Sequence, residues 1–170
     1  IIANGDHVYL LYRNNDNNIR DSYISYSNDG GQTFNSFIDI DFVSWNFPNC
    51  PSSTPRAMIS GDSLVVARRS GAINNINEMY LTSVNLLDLQ FVYNNVIDPV
   101  GFGLQDYPEL AGNEDTIGVV WQDNRNGMLD CYFSYTTLGG SSLSGSFKIS
   151  DSNAVGNQSD PDVAYSSKNF

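Results

Sequence analysis

The sequence predicts an all-β fold built from about three repeated units of four antiparallel strands. Three observations support this: the composition favours turns, the chain repeats itself, and no stretch combines helical apolar spacing with capping residues. The polar residues are mainly Asn, Ser, Asp and Gly, which form turns between strands, rather than Lys and Glu. Hydrophobic residues make up 41% of the 170 residues and aromatic residues 12%. That is enough for a buried core and too much for a disordered chain.

The repeat is visible in three prolines that open similar segments. Pro55, Pro108 and Pro161 are separated by 53 residues in both intervals. An acidic turn and then an apolar run follow the first two prolines, and the same pattern stands near residue 5. The first and third copies align without a gap at an offset of 109 residues. The aligned pairs are Tyr12 with Trp121, Asp21 with Asp130, Tyr23 with Tyr132, and Phe34 with Leu143.

Each unit is expected to contain four short strands. In the third copy they are expected near 109–111, 117–121, 130–136 and 146–150, with turn-forming residues between them. Four antiparallel strands recurring every ~50 residues are typical of the blades of a β-propeller. A β-sandwich with coincidental repeats is the alternative. In the propeller interpretation the chain is one domain, whose blades cover residues 1–48, 49–105 and 106–158, with a fourth beginning at 159–170.

The net charge of −11 disfavours several classes of partner. Eight Lys and Arg against nineteen Asp and Glu would repel nucleic acid and anionic lipid surfaces. No segment reaches the ~20 apolar residues of a membrane-spanning helix. The two cysteines, Cys50 and Cys131, are expected as isolated thiols rather than as a disulfide. Together with the single histidine, His7, they make no zinc site.

One turn of the first unit carries a motif. Residues 27–34 read Ser-Asn-Asp-Gly-Gly-Gln-Thr-Phe. The carboxylate of Asp29 can accept hydrogen bonds from backbone N–H groups ahead of it, and Gly31 suits a positive φ. The hydroxyls of Ser27 and Thr33 can close the loop, and Phe34 can pack back on the sheet as an anchor.

This eight-residue segment resembles the Asp-box, the bacterial neuraminidase repeat found in sialidases and in other secreted propellers. Segments 119–127 and 130–134 are also similar to that family. The resemblance implies part of a secreted, six- or seven-bladed propeller, in which residues 27–34 are a folding element away from the ligand face. The matching turns of the other two units, 84–91 and 136–143, have Leu in place of the motif aspartate, so they must be held differently.

Propellers bind ligands at the blade edge opposite the Asp-box turn. The resemblance implies that arginines at this edge would hold a substrate carboxylate, as in sialidases, which attack with a Tyr assisted by a carboxylate. The Arg-Ile-Pro element of sialidases is absent and no Tyr–Glu pair matches theirs, so no catalytic residue is assigned. The alternative role of these residues is structural, in salt bridges such as Arg56 with Glu109. The candidates for the ligand face are Arg13, Arg56, Arg68, Arg69, Glu109 and Asp123.

These features predict a binding or scaffold module of an extracellular protein that contacts a glycan or another surface protein. The alternative is a glycoside hydrolase of the exo-sialidase type. No cofactor is expected. The Asn- and Asp-rich loops 14–21 and 123–130 leave Ca²⁺ as a minor alternative, although Arg125 stands where a ligand oxygen would be needed. Both ends of the chain would cut a blade, so exposed blade faces favour pairing of two copies or aggregation.

Overall fold

The computed structural model describes residues 1–35, 37–42, 44, 46, 53–71, 77–99, 103–137, 142–167 and 169–170. Within these ranges the protein is all-β, and they contain no helix long and apolar enough to cross a membrane. The first sheet comprises β1 (Ile2–Asn4), β2 (His7–Arg13), β3 (Ser22–Ser27) and β4 (Ile38–Asp39). The second comprises β5 (Arg56–Ser60), β6 (Ser63–Ser70), β7 (Glu78–Asn85) and β8 (Phe91–Val96). The third comprises β9 (Gln105–Gly112), β10 (Thr116–Asp123), β11 (Asp130–Thr137), β12 (Ser142–Leu143) and β13 (Phe147–Lys148).

Each sheet follows the chain as an antiparallel meander. In the first two sheets the strand order in space is the order along the chain, and in the third β13 pairs with β11 beside β12. The longest ladders join the central strands. One runs from the pair Ser63–Asn85 to the pair Ser70–Glu78, and the other runs along β10 and β11. The predicted all-β fold and its antiparallel four-stranded units are therefore confirmed, with one additional short strand in the third unit.

The predicted strands of the third unit are found, with different bounds. The opening strand, expected near 109–111, begins earlier, at Gln105. Pro108 lies inside it, and because proline has no N–H to donate, the ladder shifts register opposite this position, between Val120 and Gln122. The outer strand, expected over 146–150, is reduced to the two residues of β13.

The second sheet lies between the other two and is buried on both faces. Because successive side chains of a strand point to opposite faces, Val65 of β6 packs with Val119 and Trp121 of the third sheet. Its neighbour Leu64 packs with Tyr9 of the first sheet. A strand covered on both faces explains the unbroken apolar run at residues 64–67 of β6. The described chain thus forms three packed sheets, not the two layers of a β-sandwich.

Residues 159–170, expected to start a fourth opening strand, form no strand where they are described. No described strand lies beside them to complete a ladder. The segment instead crosses the outer face of the third sheet, where the ring of Phe170 lies 5.2 Å from that of Phe133, measured between centroids. Gly118 permits this close approach, since a Cβ there would come within 2.5 Å of the Phe170 ring.

Candidate functional site

The turn after β3, residues 27–34, is held by hydrogen bonds around one carboxylate. Asp29 accepts from the hydroxyl of Ser27 at 2.6 Å, and from the backbone N–H and hydroxyl of Thr33 at 2.9 and 2.6 Å. The backbone N–H of Gly31 donates to the Ser27 hydroxyl at 2.9 Å, and Gly31 has φ of +87°. These contacts agree with the roles expected for the four residues. Phe34 differs from expectation, because 43% of its surface remains exposed and it is not a buried anchor.

The donors around Asp29 stabilise its ionised form. The hydroxyls of Ser27 and Thr33, followed by the Thr33 backbone N–H, hold the pKa of the Asp29 carboxyl well below its usual range, against a small opposing effect of burial. All three of these donors come from Ser27 and Thr33, within the same turn. The turn is therefore a structural element.

Three of the candidate arginines meet where the ends of β2 and β6 come together. Arg13 donates from Nη2 to the backbone carbonyl of Arg69 at 2.8 Å. Arg69 forms a salt bridge with Asp106 of the third sheet at 2.6 Å. Arg68, on the opposite face of β6, forms a buried salt bridge with Asp41. This edge cluster links all three sheets through guanidinium groups.

Burial dominates the electrostatics of the edge cluster. Arg68 is 1% exposed, and burial lowers its pKa, with Asp41 opposing the shift. Burial also lowers the pKa of Arg69, again against the effect of Asp106. For Arg13 burial lowers the pKa to about 10, with Asp41 the main opposing group. The carboxylates of Asp41 and Asp106 thus partly neutralise the positive charge of the edge cluster. Its electrostatic attraction for a ligand anion is weaker as a result.

A tyrosine and a carboxylate that sequence reasoning missed lie beside the edge cluster. The hydroxyl of Tyr80 donates to Glu78 at 3.4 Å, and the guanidinium of Arg68 lies 4.9 Å from the centre of the Tyr80 ring. Arg68 and Tyr80 are cross-strand partners in the ladder of β6 and β7. The strand register of the β6–β7 hairpin places Tyr80 opposite Arg68. That register is therefore the feature by which sequence reasoning could have identified the pair. Burial, followed by the charge of Glu78, raises the pKa of the Tyr80 hydroxyl, which disfavours the phenolate.

Arg56 and Glu109 lie apart from the edge cluster, on a cavity of about 270 Å³. The salt bridge expected between them is confirmed, with 2.5 Å from Nε to Oε1. The cavity is lined by three segments, 54–56, 107–109 and 160–162, that stand 53 residues apart in the sequence. Tyr107 and Asp160, which occupy the same position in two of these segments, both adopt left-handed backbone conformations, with φ of 51° and 55°. The lining residues are Thr54, Arg56, Tyr107, Pro108, Glu109, Asp160, Pro161 and Asp162; we call this the axial cavity.

Asp123, the last candidate, is fully buried and holds its own loop. Its carboxylate accepts from the backbone N–H and the Nε of Arg125 at 2.7 and 2.9 Å. Arg125 also forms a salt bridge with Asp98 and lies 4.0 Å from the centre of the Tyr132 ring. Asp123 is therefore a loop-stabilising residue here.

The metal and thiol chemistry of the described residues is limited. They contain no group of three or more His, Cys, Asp or Glu side chains placed to hold a metal ion. Cys131 is a free thiol whose pKa is raised by burial and then by the charges of Asp130 and Asp160. The expectation for Cys50 lies outside the described residues. Ordinary thiol reactivity at Cys131 is therefore suppressed.

The comparisons with known proteins identify no relative: no family model, no curated protein and no solved structure matches this chain. The family resemblance consequently rests on the sequence motifs, chiefly the turn at residues 27–34.

Proposed function

We propose that the three sheets are three blades of an Asp-box β-propeller, and that the chain is a secreted module that binds a glycan or another surface protein at the axial cavity. The observation that carries the proposal is that three repeat-equivalent segments, 54–56, 107–109 and 160–162, line the same cavity. In a propeller the opening strands of successive blades surround one axis. Equivalent residues would then meet at its mouth, and the three segments that line the axial cavity support this arrangement.

The packing of the opening strands supports an axis. β1 contacts β5, and β5 contacts β9. Ala57 in β5 packs on the core shared with the first sheet, and its equivalent Leu110 in β9 packs on the core shared with the second sheet. The opening strands β5 and β9 thus each pack against the preceding sheet, and each does so through the residue at the same position of the repeat. A common rotation between successive units follows from such repeated packing.

The lining of the axial cavity suits a saccharide. Tyr107 offers an aromatic ring, and the Arg56–Glu109 pair offers donor and acceptor atoms in fixed positions. Asp162 is exposed at the position equivalent to those two residues. Apolar surface with a few convergent polar groups is typical of small-molecule sites, and sugar hydroxyls can donate to the carboxylates. The same polar groups could also receive a side chain of a protein partner.

Glycan-array binding followed by isothermal titration calorimetry tests this proposal. We expect binding of at least one saccharide, and its loss in the variants Tyr107→Ala and Asp162→Asn. The control is Asp115→Asn, because Asp115 is an exposed aspartate in the turn between β9 and β10, away from the cavity. Failure to bind any saccharide or surface protein, or binding that survives both cavity variants, would contradict the proposed site.

An exo-sialidase is the second candidate, and one observation favours it. Arg68 of the edge cluster lies beside the Tyr80–Glu78 pair, and an arginine, a tyrosine and a carboxylate are residue types that sialidase chemistry uses. Against it, the arginines are engaged with carboxylates or backbone, and burial raises the pKa of the Tyr80 hydroxyl. We expect no release of sialic acid from a fluorogenic substrate. Turnover that is abolished by Tyr80→Phe would establish the enzyme instead.

A further inference from the structure

A pocket lies between the first two sheets, at the end of the strands away from the edge cluster. It has a volume of about 270 Å³. Its walls are the turns that follow β1, β3, β5 and β7, and both strands flanking each turn are among the described residues. We call it the turn-side pocket; its lining residues are Asn4, His7, Tyr9, Tyr26, Asn28, Gly61, Asp62, Leu86 and Leu87.

One wall of the turn-side pocket is a polar and aromatic face of the first sheet. Tyr9 and Tyr26 are cross-strand partners in the ladder of β2 and β3, so their side chains share a face. Two residues further along each strand, on the same face, Nδ1 of His7 is hydrogen-bonded to Oδ1 of Asn28 at 3.0 Å. Tyr9 is 2% exposed and donates its hydroxyl to the carbonyl of Leu86 at 3.3 Å. Tyr26 is only half-buried, so it is the aromatic side chain that a ligand can reach.

The opposite wall joins two turns of the second sheet. The backbone N–H of Leu86 donates to the backbone carbonyl of Asp62 at 2.9 Å, which holds the two turns side by side. Asp62 is exposed, and its carboxylate has no hydrogen bond or salt bridge with any described residue. Leu87, 89% exposed, adds an apolar side chain at the mouth. A ligand in the pocket therefore meets an uncommitted carboxylate facing the tyrosine wall.

The corresponding space between the second and third sheets is filled by a side chain. Glu114, in the turn between β9 and β10, reaches back to the second sheet, where its Cδ lies 3.6 Å from the place of a Cβ on Gly61. Ser60 closes the same contact by donating to the carbonyl of Asn113 at 3.1 Å. The repeat equivalent of Glu114 in the second unit is Gly61, which has no side chain to send back to the first sheet. The turn-side pocket is the result, and around a Cβ placed on Gly5 no atom of the described residues lies within 4 Å.

The end of the molecule that carries the pocket is acidic. Its turns, residues 4–7, 27–35, 60–63, 85–91 and 112–116, contain no Lys or Arg. In a chain of charge −11, the field at this end is therefore not offset by fixed positive charge, and it favours a cationic ligand over an anionic one. The acidic residues of these turns are Asp6, Asp29, Asp62, Asp88, Glu114 and Asp115.

We propose that the turn-side pocket binds a basic group, the guanidinium or ammonium group of a ligand. The carboxylate of Asp62 accepts charge-assisted hydrogen bonds from its N–H donors, and the ring of Tyr26 contacts the cation from the opposite wall. Asn4 and Asn28 supply amide oxygens beside them. The pocket lies beyond the Ser60 end of β5, whereas the axial cavity lies at its Arg56 end. It is therefore a second site, independent of the one proposed above.

Titration of the isotope-labelled chain, followed by nuclear magnetic resonance, tests this proposal. The blocked tripeptide Gly-Arg-Gly represents a protein side chain, agmatine represents a free cation, and the blocked tripeptide Gly-Gln-Gly is the neutral control. We expect the two basic probes to shift the backbone amide signals of His7, Asn28, Asp62 and Leu87, and the affinity to fall as salt is added. The tighter of the two probes identifies the source of the basic group.

Variants of the two walls locate the site. Asp62→Asn and Tyr26→Ala should each raise the dissociation constant of the tighter probe about two- to fivefold, the effect of losing an exposed ion pair or cation–π contact. The matched control is Asp115→Asn, which should leave the constant unchanged. Asp115 is the repeat equivalent of Asp62 and lies at the same acidic end, but it does not line the pocket. The amide spectra of the free variants establish that each is folded.

Three results would overturn the proposal. Equal effects of Asp62→Asn and Asp115→Asn would mean that cations are attracted to the acidic end as a whole. Equal shifts with the glutamine tripeptide would mean that the pocket takes a neutral ligand. Titrations that leave the signals of the pocket residues unmoved would mean that no basic group binds there.

Discussion

The carboxylate of Asp29 is the acceptor around which the turn at residues 27–34 is organised. It receives two side-chain hydroxyls and the backbone N–H of Thr33. By contrast Asp88, in the corresponding turn of the second unit, accepts only the backbone N–H of Gln90, at 3.0 Å. Asp29 is thus expected to stabilise its turn more than Asp88 does, because its carboxylate is hydrogen-bonded to residues at both ends of the turn.

The substitution Asp29→Asn should lower the melting temperature at neutral pH. An amide keeps one acceptor oxygen but loses the charge that strengthens the bonds from Ser27 and Thr33. Differential scanning calorimetry measures the loss, with Asp88→Asn as the matched control. We expect a clearly smaller decrease for the control, since it removes charge from a turn with a single bond. Equal decreases would contradict the special role of the motif aspartate.

The loss caused by Asp29→Asn should also depend on pH. The pKa of Asp29 is depressed in the folded protein, while an unfolded aspartate has a pKa of about 3.9. Its stabilising effect is therefore complete above about pH 4, and it is lost as the pH falls towards the folded pKa, because the unfolded chain binds the proton first. The difference in unfolding free energy between wild type and variant should narrow as the pH is lowered from neutral to below about 4. A difference that is constant with pH would show that the charge is irrelevant.

At the scale of elements, buried ion pairs as well as apolar contacts connect the strands of neighbouring sheets. Arg68, at the end of β6, donates to Asp41 and to the carbonyl of Ile40 at 2.6 Å. Asp41 in turn accepts the backbone N–H of Ser22 in the first sheet at 2.6 Å. Removing the guanidinium would therefore leave a buried carboxylate without its counter-charge.

The variant Arg68→Met should be destabilised by about 3–5 kcal/mol, the usual cost of leaving one member of a buried ion pair alone. The double variant Arg68→Met/Asp41→Asn should recover much of this loss, because the remaining amide carries no charge. Urea unfolding of Arg68→Met, of Asp41→Asn and of the double variant gives the unfolding free energies for a double-mutant cycle with the wild type. If the double variant is as unstable as the sum of the single variants, the ion pair is not what links these sheets.

Much of the element-level architecture could be predicted from sequence, for a physical reason. Strands buried on both faces produce unbroken apolar runs such as residues 64–67 of β6, and the repeat spacing indicates where each unit begins. The outer strands were harder to place, since short edge strands such as β13 carry little burial pattern. The pairing of Tyr80 with Glu78, and the separation of Arg56 from Arg13, depend on side-chain directions that spacing along the chain does not determine.

At the scale of the whole molecule, the candidate residues divide into two groups with different surroundings. The edge cluster is buried and balanced by carboxylates, whereas the axial cavity is open. The cavity carries the exposed carboxylate of Asp162 and the Arg56–Glu109 pair. With a chain charge of −11, the proposed binding site would favour neutral hydroxyl-bearing ligands over a strongly anionic one. This proposed preference requires that the repeat-equivalent segments meet around one axis.

The distance between labels at Thr54 and Asp162 tests that arrangement most directly. Both positions are replaced by cysteine in a chain whose own Cys50 and Cys131 are changed to serine, spin-labelled, and diluted with unlabelled chain so that only distances within one molecule are read. Because the two residues line the same cavity of about 270 Å³, double electron–electron resonance should give a single narrow distribution at the short limit of the method. A long or broad distribution would mean that the equivalent segments 54–56 and 160–162 do not meet at one cavity, and it would contradict the account.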